Sequence, residues 1–212
     1  MSRALRLLLL VAVAALVAPG PAAAATGPCV PEYPSGPSCT VWKGKVRDVG
    51  DGDTLDANIP GDGLGGPLRI RVIGIQAMEL RSYRAAQRSG DCHAVDATRR
   101  LEQLVRRSKR RIRVASLFTE SRSQGRRLRS IAVRYNGRWH DVGRIMISEG
   151  QALWWPGGAE DATNVRYSVL SQRAAAAHKG LFSPSYCGIG PNEGQQVKLS
   201  VNWDADGSDA ED

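Results

Sequence analysis

Between residues 41 and 135 the chain is written in two rhythms. Residues 41–49 interleave apolar with basic positions. Residues 54–59 form a second short run, ended by Pro60. Residues 68–75 set Leu68, Ile70 and Val72 against Arg69 and Arg71. A period of two predicts half-buried β-strands, with the two arginines opposite the apolar face. The glycine-rich stretch Gly61-Asp62-Gly63-Leu64-Gly65-Gly66-Pro67 predicts a flexible hairpin loop between the second and third runs. Residues 112–118 and 128–135 read as two more strands. The rhythm changes at Ala94, Ala97, Leu101, Leu104 and Val105, whose three- and four-residue spacing predicts a helix over 94–105. A second helix over 142–149 stops at Gly150, and a third over 164–178 stops at Lys179-Gly180. Five strands and about three helices predict an α+β domain, a small five-stranded barrel with a helical cap, over residues 41–190.

The flanks differ in character. Residues 1–25 begin with Arg3 and Arg6, continue through an apolar run and close on small residues, the layout of a secretory signal cut near Ala25. The uninterrupted apolar stretch is short of the ~20 residues a spanning helix needs, so the expectation is an extracellular protein without stable membrane association. Residues 26–40 carry an arm with four prolines among residues 26–38, and residues 191–212 are an acidic tail.

Cys29, Cys39, Cys92 and Cys187 make an even count, which in an exported chain suggests two disulfides out of three possible pairings. Cys29 with Cys39, close in sequence, leaves Cys92 with Cys187. No pair has the spacing of a zinc site. The chain carries 29 Lys and Arg against 21 Asp and Glu. Five of those acids fall within 204–212, so the body is more basic than the whole. Such a body suits a polyanion, nucleic acid among others. The basic outer face of the first helix also reads simply as a solvated surface.

Candidate chemistry begins at Gly50-Asp51-Gly52-Asp53-Thr54. Two carboxylates around a glycine suit a cation seat, and equally suit an ordinary turn. Arg71, then Gly74-Ile75-Gln76-Ala77-Met78-Glu79, then Gly125-Arg126 follow in order. This set, with Glu149-Gly150-Gln151-Ala152 and the closing Lys179-Gly180-Leu181-Phe182, resembles the staphylococcal nuclease (thermonuclease) family from about residue 41 to 182. The resemblance implies an OB-fold barrel and a monomeric, calcium-dependent hydrolase that cleaves the phosphodiesters of DNA and RNA and leaves 3′-phosphates. It implies Asp53 and the Ala77 backbone carbonyl as calcium ligands, and Arg71, Glu79 and Arg126 as catalytic residues. Trp154 and Trp155 fall roughly where the family lines its nucleotide pocket with tyrosines. Three positions depart from the family: Gln76 replaces a ligand carboxylate, Met78 a proline and Gln124 a tyrosine. Gln76 can offer calcium only a neutral oxygen, so the ion is expected to bind weakly.

The tail from Ser200 to Gly207 resembles the opening of a lamin-tail domain and stops too early for an EF-hand loop. Two other functions fit parts of the sequence: a catalytically silent OB-fold module that binds nucleic acid, and a cell-surface domain whose basic face meets acidic envelope polymers. Glu79 separates them from the nuclease, because a binder needs the arginines and has no use for that carboxylate.

Overall fold

The computed structural model describes residues 24–155 and 164–187. The expected signal segment up to residue 23 and the acidic tail with its lamin-tail likeness lie outside the described residues. Five strands close into a barrel: β1 Ser38–Val49, β2 Thr54–Asn58, β3 Pro67–Val72, β4 Arg111–Ser116 and β5 Arg126–Tyr135. Their order around the ring is β1-β2-β3-β5-β4 and back to β1. Every pairing is antiparallel except β3 with β5. A parallel pair needs a long crossover, and helix α1 (Ala94–Arg107) with β4 provides it. β1 serves two neighbours. Thr40–Lys45 pairs with β4, Lys45–Val49 pairs with β2, and a register shift between Val46 and Asp48 bends the strand between them.

The barrel interior is filled by Val46, Leu55, Ile70, Val72, Ile112, Val114, Ile131 and Val133. The apolar face of α1 (Ala97, Leu101, Leu104, Val105) packs into the same core, as its spacing predicted. Each of these Leu, Ile and Val side chains contributes about 1.5–3 kcal/mol by leaving water. Helix α2 (Val142–Ser148) starts at Asp141, whose Oδ2 accepts from Arg144 N at 3.0 Å. Helix α3 (Asn164–Ala176) lies against α2, and the Tyr167 hydroxyl donates to the same Asp141 carboxylate. Two expected turns dock on each other: Leu181 N donates to Gly150 O at 2.9 Å. A Cβ on Gly150 would meet Lys179 O at 2.2 Å, so both the left-handed backbone and the space require glycine there.

The N-terminal arm adds a strand pairing to its disulfide. Ala25–Pro28 forms a strand paired with Ser38–Val41. Cys29 is bonded to Cys39, and Cys92 to Cys187 across Cα atoms 5.8 Å apart. Both disulfides follow the expected pairing and fit an oxidising environment. Among the described residues no helix is long and apolar enough to cross a membrane.

The third strand departs from its pattern. The alternation predicted strand to residue 75, yet β3 stops at Val72. Gly74 takes a φ of 74°, and Ile75–Gln76 turns away to pair with Leu153–Trp154. That turn folds the following segment back over the outer face of β3. Arg69 remains exposed, but Arg71 is left only 3 % accessible.

Candidate active site

The turn between β1 and β2 carries the two aspartates. Gly50 N and Asp51 N both point at Thr54 O, and Asp51 Oδ1 accepts from Asp53 N at 3.0 Å. Gly52 is pressed into its neighbours: a Cβ there would lie 2.6 Å from the Ala77 Cβ and 2.7 Å from the Ala97 Cβ. The glycine therefore lets the turn seat between the folded-back segment and α1. Asp53 is fixed from several sides. Its Oδ1 accepts from Thr54 Oγ1 at 2.9 Å, its Oδ2 accepts from Ala77 N at 2.9 Å, and Arg71 Nη2 stands 3.6 Å from Oδ2.

Residues 71–79 close the site. The Arg71 guanidinium donates to Gln76 Oε1, and Gln76 Nε2 donates to Glu79 Oε1 at 3.0 Å. One amide thus ties the buried arginine to the glutamate. The other face of Arg71 lies over the Trp155 ring, 4.8 Å from its centroid. Arg126, at the start of β5, donates to Thr54 Oγ1 at 3.3 Å and to Gln124 Oε1. Asp51, Asp53, Arg71, Gln76, Ala77, Glu79 and Arg126, scattered over the sequence, meet at one edge of the barrel. β3 and β5 bring the two arginines together through the pairing of Arg71 with Leu128.

The charges are incompletely balanced. Burial, reinforced by the Asp53 and Glu79 carboxylates, pushes Asp51 up to about 7. Burial and the like charge of Arg71 pull Arg126 downward, against the pull of Asp53, Asp51 and Glu79 in the other direction. Tyr83 lies near enough to this cluster to feel its carboxylates although it is 52 % exposed. Its phenol is pushed up by desolvation, then by Asp51 and Glu79. Nothing along the chain marks Tyr83, because no spacing rule connects a tyrosine on an irregular segment with a turn some thirty positions earlier.

The donor set fits a hard cation held by few protein ligands. Asp51 and Asp53 are two neighbouring carboxylates, oxygen donors of the kind calcium takes. Gln76 presents no oxygen to such an ion in this arrangement, since its carbonyl faces Arg71 and its amide nitrogen faces Glu79. Ala77 turns its N–H to Asp53. Among the described residues, no group of three or more His, Cys, Asp or Glu side chains is gathered as a metal seat.

The two tryptophans do not form an open stacking surface. Trp155, 4 % exposed, packs with Ile73 and Leu128 under Arg71. Trp154 is half-buried against the main core. His93 caps α1 in a left-handed conformation, with Nε2 2.9 Å from Gln151 Oε1, in keeping with a structural role. No protein-family model and no curated protein matches the chain.

Proposed function

We propose that this protein is an exported nuclease that hydrolyses phosphodiester bonds of DNA and RNA with the help of a weakly held calcium ion. The observation that carries this reading is the meeting of two guanidinium groups, Arg71 and Arg126, with Glu79 and the Asp51–Asp53 pair on one barrel edge. A phosphodiester is an anion that resists attack by water. The site offers donors for its charge and a carboxylate for the proton.

The residues divide the work. Arg71 and Arg126 present forked N–H donors to the phosphate oxygens as charge builds on the five-coordinate phosphorus. Glu79 takes a proton from water while the water oxygen bonds to phosphorus. The bond from phosphorus to the 5′ oxygen then breaks, and that oxygen leaves with a proton from solvent. A calcium ion held by Asp53 and Asp51 would supply positive charge against the same phosphate. Gln76 holds Arg71 and Glu79 in mutual register, and Trp155 fixes the back of Arg71.

The test is direct. The refolded mature chain is incubated with DNA and with RNA, in calcium and in excess chelator. Cleavage that needs calcium supports the reading in full. Cleavage in chelator removes the ion from it, and intact nucleic acid under all conditions leaves at most a binding module.

A further inference from the structure

A ridge of unpaired cations runs across the far end of the barrel from the candidate site. Lys45 on β1 and Arg111 on β4 are direct cross-strand partners, and both are exposed. Arg134 on β5 follows Val133, the partner of Ile112, and so stands beside Arg111. Three adjacent strands therefore present like charges next to one another, an arrangement that works against folding.

The end of α1 adds to the ridge at the cost of backbone strain. Lys109 and Arg110 are consecutive left-handed residues with φ of 55° and 64°, a conformation uncommon outside Gly, Asn and Asp. Arg110 is clamped there: its Nε donates to Val46 O at 2.8 Å, its Nη2 to Arg47 O, and its own carbonyl accepts from Val46 N at 2.8 Å. The clamp ties the end of α1 to the backbone of residues 46–47 on β1. The Arg107 guanidinium lies over the Tyr135 ring at 4.3 Å. Among the described residues none of Lys45, Arg47, Arg107, Lys109, Arg111 and Arg134 makes an ion pair. Elsewhere on α1, Arg99, Arg100 and Arg106 all face acids.

We infer that this ridge is a docking surface for the sugar-phosphate backbone of nucleic acid, remote from the bond that is cut. β5 joins the two places: Arg126 stands at its start and Arg134 near its end, roughly 26 Å apart at ~3.3 Å per residue. A single extended polyanion, about eight base pairs of duplex at ~3.4 Å each, reaches both. The inference rests on the nucleic-acid part of the proposed function and not on cleavage.

The experiment separates the two. Binding of a fluorescein-labelled 30-base-pair DNA duplex is followed in chelator between 50 and 200 mM salt. Wild type is compared with the triple variant Lys45→Ala, Arg111→Ala, Arg134→Ala. Losing three phosphate contacts lowers the slope of log K against log salt by about 2–3, with at least tenfold weaker binding at the low-salt end. Hydrolysis of bis(p-nitrophenyl) phosphate, too small to touch the ridge, stays unchanged, and the melting temperature does not fall. An unchanged slope and affinity overturn the inference. So does an acidic wall polymer such as teichoic acid that holds the ridge against excess DNA. A wild type that leaves DNA, RNA and the small diester all intact in calcium while the DNA slope still drops in the variant sinks the nuclease reading and leaves the ridge standing.

Discussion

Gln76 donates from Nε2 to Glu79 Oε1 at 3.0 Å while its carbonyl oxygen is held by Arg71. The residue that replaces a ligand carboxylate in the resemblance is therefore a bridge between two charged groups. This gives Gln76→Asp two opposite consequences. An added carboxylate next to Asp53 lowers the calcium concentration needed for half-maximal cleavage several-fold. The shorter, acceptor-only side chain releases Glu79, so the rate at saturating calcium falls. Calcium titrations of wild type and variant on one DNA substrate check both; coincident curves would remove position 76 from the ion and from the reaction.

Glu79→Gln and Arg126→Ala are each expected to lower kcat by about 10²–10³, with far-UV circular dichroism and melting temperature close to wild type. Neither side chain fills the core. Arg71→Ala is expected to do more harm to the fold, because its guanidinium is buried between Asp53 and Trp155. Full activity of either of the first two variants at matched circular dichroism would defeat the assignment of roles.

Asp51 makes stability depend on pH in a definite direction. Its folded-state value, about 7, lies above the ordinary 3.8. The folded chain therefore holds the proton more tightly than the unfolded one, and that contribution is complete below about pH 4 and lost as pH rises through 7. Asp51→Asn should then raise the melting temperature over wild type at pH 8 and change it little at pH 4. A gain of equal size at both values would show that Asp51 is not ionised under strain. Calcium should stabilise the wild type chiefly above pH 7.

Gly52→Ala tests the seating of the aspartate turn. The new methyl group would overlap the Ala77 and Ala97 side chains, a core overpacking worth about 1–3 kcal/mol. Urea unfolding should show that loss, and cleavage should fall further because Asp53 moves with the turn. A neutral effect on both would mean that α1 yields easily.

Much of the fold was legible because its strands alternate cleanly and α1 shows one apolar stripe. The limits lay where one element bends onto another. Arg71 alternates with Leu68, Ile70 and Val72 as an outward residue should, and nothing in that rhythm announces that Gly74 will fold residues 75–79 over it. The same fold-back explains Trp155. Its position left it either a core residue or a partner for bases, and the pairing of Leu153–Trp154 with Ile75–Gln76 delivers its ring beneath Arg71. For the site, the family resemblance picked out Asp53, Arg71, Gln76, Glu79 and Arg126 as a group. It could not show which way the Gln76 amide turns, nor that Tyr83 lies near the carboxylates, since both depend on how separate segments fold together.

The Cys92–Cys187 bond divides the candidate machinery by covalent topology. Its ring of chain holds α1, β4, β5, α2 and α3, and with them Arg126; Asp51, Asp53, Arg71, Gln76 and Glu79 hang outside it on the segment leading in. A protease that nicks the backbone once inside the ring releases no fragment, and the nicked molecule keeps its mass and runs as one band until a reductant is added. A nick between Glu79 and Cys92 instead sets the acidic half of the site free from the half that carries Arg126, with only packing and strand pairing to hold them. On the proposed function, the segment of residues 80–91 is the place where a single proteolytic cut would disarm the site.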